Sequence, residues 1–380
     1  MLQGPRKIHR PAYGSFSRNE WAIIGAPSDL IQQLAYGLSA SLSEHYRLGY
    51  VDADPQSPQT ALAYGSTLEY TDKATFHRLD FKAPLNRFQL RPLFNDQDAV
   101  LVNGNHFRAK KQIVIIDPRG EASLRKRLDH LTDVSLFLLT EEMTGPYAFL
   151  KKSLPHWADI PTMAIEELPL IAELLGQHLK AAQPPLSGLV LAGGYSQRMG
   201  RDKGLIDYHG RPQREYMQDQ LASFCVDTWL SCRPEQQAKL SAFKTIPDTF
   251  IGLGPFGALL SAFRERPDHA WLVTAVDLPL LDEATLQQLT EGRNPSKVAT
   301  AFRNPATDSP DPLLTIWEPR SYPVLLQFLA QGYASPRKVL LNSPIERLEP
   351  RHPQALTNVN SPEEYARIIA QLQGGKHRSR

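Results

Sequence analysis

Cysteine is scarce in this sequence of 380 residues. The only two, Cys225 and Cys232, build neither a disulfide framework nor a four-ligand zinc site. Each lies in an apolar setting, where a thiol more often packs than reacts. Long hydrophobic runs are missing as well. Val134–Leu139 has the length of a buried strand, and no stretch approaches the roughly 20 apolar residues of a membrane span. The opening MLQGPRKIHRPAYGS has no apolar segment of the kind a secretory signal needs. Charge of one sign is also absent. Residues 1–185 carry 20 basic and 20 acidic side chains, and the remainder carries 22 and 20. Neither half has the basic field that nucleic acid requires. The 31 prolines are scattered and form no low-complexity tract. These absences leave an α/β protein of two domains in a reducing compartment, expected in the cytoplasm, with no nucleic-acid or membrane partner.

The chain reads as two successive α/β halves. In the first, Trp21–Ile24, Leu48–Val51, Ala99–Val102, Ile113–Ile116 and Val134–Leu139 have the pattern of buried strands. Leu30–Glu44, Glu121–His130 and Leu168–Lys180 read as helices, Asn103-Gly104-Asn105 as a turn, and residues 53–97 have little periodicity. Such alternation favours a parallel sheet covered on both faces. Ala181–Ser187 (AAQPPLS) is the linker, because Pro184-Pro185 cannot continue the preceding helix. The domains are placed at 1–183 and 187–375. In the second half, strands are expected at Gly188–Leu191, Thr228–Ser231 and Trp271–Val276. Helices are expected at Gln213–Phe224, Phe256–Arg266 and Glu283–Leu289. Ser361-Pro362-Glu363-Glu364 is a helix start with Ser as N-cap and Glu in the first turn.

Directly after the first strand of the second half comes Leu191-Ala192-Gly193-Gly194-Tyr195-Ser196-Gln197-Arg198-Met199-Gly200-Arg201-Asp202-Lys203. The paired glycines let backbone approach a ligand, and successive N–H groups there can cradle phosphate oxygens. Arg198 and Lys203 bring cations to the same place, a combination suited to a triphosphate. Asp277, in Ala275-Val276-Asp277-Leu278-Pro279, follows an apolar strand at the end where open α/β sheets bind ligands. Mg²⁺ at such a place takes one or two carboxylates plus phosphate oxygens and water.

The loop resembles the signature L-A-G-G-x-S-x-R-M-G-x-D-K of the molybdenum cofactor guanylyltransferases and matches it at every fixed position. Asp248 with Gly252-Leu253-Gly254-Pro255-Phe256-Gly257-Ala258 is similar to the family's D…G-P-L-A-G, with Phe256 and Ala258 as departures. Ala275–Pro279 is similar to its C-D-x-P, and Asn358-Val359-Asn360-Ser361-Pro362-Glu363 to its N-x-N-T-P-E. The resemblance implies a C-terminal Rossmann-like nucleotidyltransferase fold. It also implies transfer of GMP from GTP to the terminal phosphate of molybdopterin, or its molybdenum-bound form, with Mg²⁺. Lys203, Arg198 and Asp277 would be catalytic. Leu191, Ala192, Gly193, Gly194, Ser196, Lys203, Cys232, Asp248 and Asp277 would contact the nucleotide, and Asp277 and Asn360 the metal. Cys232 falls where the family often has asparagine near the base or ribose. Molybdoenzymes or cofactor-insertion proteins are implied as further partners. Two alternatives stay open: a cytidylyltransferase or another nucleotidyltransferase with a different phosphate acceptor, and a nucleotide-binding scaffold without turnover.

Several charged residues stay open between ligand contact and solvated surface: Arg211 and Arg214 after the loop, and Arg303, Arg337 and Lys338 later. His209 reads as a turn residue. The first half resembles the small P-loop adaptor protein of molybdopterin-guanine dinucleotide biosynthesis, through its strand order, Val51-Asp52 and Asp98–Gly104. The P-loop itself, G-x-x-x-x-G-K-[ST], is missing. Counting from Gly25, its second glycine, lysine and hydroxyl are Leu30, Ile31 and Gln32, and Asp29 puts an anion in the loop. Asn103 replaces the acid usual before Gly104. A degenerate P-loop-like parallel sheet used for packing, positioning or partner contact is expected. Asp52 and Asp54 stay open between a cation site and a solvated turn.

Overall fold

A computed structural model describes residues 8–53, 62, 65–193 and 202–376. The chain forms two units: Ala12–Ala182, and Gln183–Arg380 together with Met1–Pro11.

In the first unit, in chain order, come β1 (Glu20–Ile24), α1 (Ser28–Leu42), β2 (Leu48–Val51), β3 (Leu68–Asp72), β4 (His77–Phe81) and α2 (Arg87–Leu93). They are followed by β5 (Ala99–Asn103), β6 (Lys111–Ile116), α3 (Glu121–Arg125), β7 (Val134–Leu139), α4 (Ala148–Ser153), β8 (Thr162–Ala164) and α5 (Leu168–Ala181). Six strands make one sheet in the order β2-β5-β1-β6-β7-β8, all parallel. Side chains alternate across it. Trp21 and Ile23 pack with α1 and α5 on one face, while Ile24, Val114 and Ile116 pack with Leu124 of α3 and Leu150 of α4 on the other. This is the doubly covered parallel sheet that the strand-helix alternation implies. The β3–β4 hairpin and α2 lie in the stretch whose sequence shows no periodicity, and Glu121–His130 is only one short helix followed by a 3₁₀ turn.

The second unit continues with β9 (Leu186–Leu191), α6 (Gln213–Ala222), β10 (Asp227–Cys232), β11 (Thr245–Pro247), α7 (Pro255–Glu265) and β12 (Ala270–Ala275). After these come α8 (Glu283–Glu291), β13 (Ala299–Asn304), β14 (Ser309–Trp317), α9 (Ser321–Ala330), α10 (Pro336–Leu341), β15 (Ile345–Leu348) and α11 (Pro362–Lys376). The sheet order is β11-β10-β9-β12-β14-β13-β15. Its first four positions follow the 3-2-1-4 order of a Rossmann-like sheet. The sheet is mixed: β14 runs antiparallel to both β12 and β13. Met217, Leu221 and Leu286 from α6 and α8 cover one face. Phe256, Phe263, Leu325 and Val339 from α7, α9 and α10 cover the other.

Because β10 and β12 lie on opposite sides of β9, the chain leaves β9 toward one edge and later returns to the other. The carboxyl ends of β9 and β12 thus form a topological switch point, where open sheets leave a crevice for ligand.

Candidate active site

A cleft of about 230 Å³ opens at that switch point. Leu191, Ala192 and Gly193 enter it from the end of β9, Asp248 from beyond β11, and Asp277 from beyond β12, with Lys203 facing them. Residues fifty to ninety apart in the chain converge here only because parallel strands all end on one side.

Asp277 is 16% exposed, and burial pushes its carboxyl above the ordinary range, opposed by the Lys203 charge. Lys203 Nζ lies 3.8 Å from Asp277 Oδ2. It donates to Val359 O at 3.1 Å and to Asn360 Oδ1 at 2.7 Å. Asp277 Oδ1 is buried and has no hydrogen-bond partner. A buried lone acceptor is costly unless something fills its place, and such a group needs an explanation. Val359 N donates to Asp277 O at 2.9 Å, tying the segment before α11 to the β12 exit. Lys203, Asp277 and Asn360 are therefore one cluster drawn from three separate stretches of chain.

Asp248 forms the second polar group. Ser231 Oγ donates to its Oδ1 at 3.1 Å, and Asp248 N donates to Cys232 O at 2.9 Å. Burial raises its carboxyl to about 6, with the Ser231 bond and the Arg233 charge pulling the other way. Cys232 itself is fully buried among Met217, Leu221, Leu230 and Leu240, and its side chain is not part of the cleft wall. Burial pushes its thiol up to about 11. The next residue after β10, Arg233, reaches the cleft wall through Gly193, to whose O its Nη1 donates at 3.1 Å. Arg233 belongs to no motif, and its place one residue beyond an alternating strand is its signal in the sequence.

The start of α7 forms the third wall, through Gly254, Pro255 and Ala258. Gly254 has φ +54°, a left-handed conformation that favours glycine, and Pro255 takes the first helical position. Gly257 is fixed by close approach: a Cβ there would lie 2.3 Å from Phe250 O. Ala258 is buried, so the methyl group that replaces the family's glycine is accommodated in the helix.

Gly194, Ser196 and Arg198 lie outside the described residues. Arg211 pairs with Asp219, and His209 Nε2 donates to Pro279 O at 2.9 Å while its ring stacks on Tyr216. Arg214 sits over the Phe243 ring. Arg303 pairs with Asp308 and Glu349, and Lys338 lies over Tyr333. None of these lines the cleft, nor does exposed Arg337. In the first unit, Asp52 accepts from Tyr50 (2.7 Å) and Asn103 (3.1 Å). It is a bonded group of the β2 exit, and Asp54 lies outside the described residues.

Two carboxylates, Asp248 and Asp277, and one lysine face the crevice, and among its described lining residues none is histidine or glutamate. Chemistry that runs on charge and position in this way is that of a nucleotidyltransferase. The sequence model of the MobA-like NTP transferase domain matches residues 188–349. The molybdenum cofactor guanylyltransferase of Pseudomonas entomophila (strain L48) is 33% identical over 191 residues, covering 49% of this chain and 98% of that protein. The molybdenum cofactor biosynthesis bifunctional protein of Synechocystis sp. is 32% identical over 200 residues, covering 52% of this chain. The alignment spans only 58% of that protein's length. Among solved structures, molybdopterin-guanine dinucleotide biosynthesis protein A from Archaeoglobus fulgidus aligns with TM-score 0.43 and 24% identity over 50% of this chain and 99% of that one. A MobB protein homolog from Bacillus stearothermophilus aligns with TM-score 0.31 and 19% identity over 43% and 99%. The chain belongs to the molybdenum cofactor guanylyltransferase family.

Proposed function

We propose that this chain transfers GMP from GTP to the terminal phosphate of molybdopterin, free or molybdenum-bound, releasing pyrophosphate and forming the guanine dinucleotide cofactor. The observation that carries this reading is the Asp277–Lys203 pair across the crevice between β9 and β12, with Asp277 Oδ1 buried and unpartnered. The backbone of Leu191–Gly194 would lie along the triphosphate, with Ser196 beside it and Arg198 and Lys203 on its oxygens. Lys203 is held by Val359 O and Asn360 Oδ1, so its charge is aimed before substrate arrives. The acceptor phosphate attacks the α-phosphorus in line, and the bond to the leaving pyrophosphate breaks. A phosphate monoester has a second pKa of about 6 and is largely dianionic at neutral pH. It needs no general base, which suits a lining without histidine or glutamate.

The donor set suits Mg²⁺. The orphaned Asp277 Oδ1 is a hard oxygen without a partner, and Asn360 Oδ1 stands beside the same carboxylate through Lys203. Bound there, Mg²⁺ would neutralise phosphate charge. Supply of GTP places the reaction in the cytoplasm on this reading. Purified protein given GTP, Mg²⁺ and molybdopterin is expected to release pyrophosphate, and CTP in its place to give much less. No pyrophosphate from either nucleotide would defeat the proposal, and preference for CTP would move it to the cytidylyl alternative.

A further inference from the structure

The carbonyl of Gly193 is tied to the neighbouring strand exit. Arg233 follows β10 directly and donates from Nη1 to Gly193 O at 3.1 Å. Through Nε the same guanidinium donates to Glu235 Oε1 at 2.7 Å, and Arg233 N donates to Gln236 Oε1 at 3.0 Å. Side chain and backbone are thus both fastened to the 3₁₀ turn Pro234–Leu240. The two exits also touch directly, since a Cβ on Gly193 would sit 3.4 Å from Arg233 N and from Cys232 Cα. On the far side, Asp248 N is bonded to Cys232 O. Three adjacent strand ends, after β9, β10 and β11, therefore meet around one cation.

We propose that Arg233 is a positioning residue of the nucleotide site: it fixes the peptide plane at Gly193 and sets a permanent positive charge beside Asp248. The inference rests on reading the cleft as the GTP site. Holding the Gly193 carbonyl from one side fixes its direction where the chain leaves β9. A guanidinium can serve Gly193 O and Glu235 at once because its donors form a rigid fork, which an ammonium lacks. Asp248 is the group on which the charge acts. Ser231 faces it from β10, Arg233 and Glu235 from the turn beyond, and Asp277 and Lys203 from across the cleft. The start of α7 offers Gly254, Pro255 and Ala258, none of them titratable. Burial drives the Asp248 carboxyl up to about 6, and Arg233 opposes that rise. Without the arginine, Asp248 would take up its proton at higher pH.

The test titrates GTP into the full chain by calorimetry from about pH 5.5 to about pH 8, with kcat and KM from pyrophosphate release. Arg233→Gln is expected to raise Kd and KM for GTP on the order of tenfold, as loss of a charge-assisted bond does, with little change in kcat. Its loss of binding toward low pH should begin at higher pH than in wild type. Arg233→Lys should keep the wild-type pH limb while still binding GTP more weakly. Adding Asp248→Asn to Arg233→Gln should abolish the limb. Glu235→Gln, which loosens the guanidinium without removing it, should raise Kd by a smaller factor and carries the test if Arg233→Gln does not fold. A wild type that binds no GTP defeats the cleft reading and this proposal together. A wild type that binds, beside an Arg233→Gln variant with equal Kd and the same pH limb, overturns the role of Arg233 alone. So would a variant that loses kcat at unchanged KM.

Discussion

Burial opposes a charge on Asp277. Its carboxyl is pushed above the usual carboxylate range by desolvation, and Lys203 at 3.8 Å compensates only in part. A carboxyl raised in the fold favours the folded state while protonated, and that contribution is lost as pH rises through its folded value. Ionising Asp277 in the apoprotein therefore costs stability, a cost common at functional sites. Asp277→Asn keeps the shape and removes that cost. Without nucleotide its melting temperature at pH 7.5 is expected to rise by about 2–4 °C, the shift of about 1 kcal/mol in a domain of this size. Pyrophosphate release should fall on the order of 100-fold. Scanning calorimetry and the release assay check both halves, and a variant that melts no higher than wild type refutes the stability half. Asp277 and Lys203 were legible in sequence because a carboxylate after an apolar strand and a lysine ending a glycine loop have fixed places in this fold. Cys232 was harder. Side chains alternate along β10, and a shift of one residue decides between core and rim. The structure puts the thiol in the core and bonds Arg233 to the Gly193 carbonyl.

The last helix shows how an element can set a site. Ser361 Oγ accepts from Glu364 N at 3.2 Å, and Glu364 Oε2 accepts from Ser361 N at 3.1 Å, a reciprocal cap read correctly from Ser-Pro-Glu-Glu. The same Oε2 accepts from Asn360 N at 2.6 Å. Asn360 in turn holds Lys203, so the cap fixes the lysine's partner before α11 begins. Glu364→Ala should lower stability by about 1 kcal/mol, as losing a cap does, and raise KM for GTP several-fold while kcat changes less. Ser361→Thr, the residue usual in the family, should leave both unchanged. An unaltered KM in Glu364→Ala would show that Lys203 is oriented by other means. β14 gave no such signal. β14 contains Pro310 and Pro312, which argue against a central strand. They are tolerated because β12 pairs with β14 only from Leu314 to Trp317, so the prolines lie where the strand overhangs its neighbour. The register with β13 also shifts near this end. α10 carries the same kind of start as α11, Ser335 as N-cap accepting from Lys338 N with Pro336 next, so its signal was in the sequence.

At the scale of the whole molecule, two units share a parallel-sheet grammar but differ at the loop after their first strand. In the first unit only Gly25, Ala26 and Pro27 separate β1 from α1. Gly25 adopts φ +99°, and its carbonyl lies so near Gly120 that a Cβ there would come within 2.0 Å of it. A P-loop needs four residues between its glycines and then a lysine to wrap a phosphate. Here three residues bridge the whole gap, and Asp29 stands in the first turn of the helix, where an anion would be repelled. The near-equal charges of the two halves conceal this difference, because the cations that matter are few and sit at one cleft. A single equivalent of GTP should therefore bind per chain. Lys203→Ala should remove that binding entirely, leaving no residual heat from the first unit, while the melting of the protein stays close to wild type. The decisive measurement is the calorimetric stoichiometry of wild type and variant side by side. A second equivalent that survives Lys203→Ala would show that the first unit holds nucleotide by contacts other than a P-loop, and would return to it the activity its sequence denies.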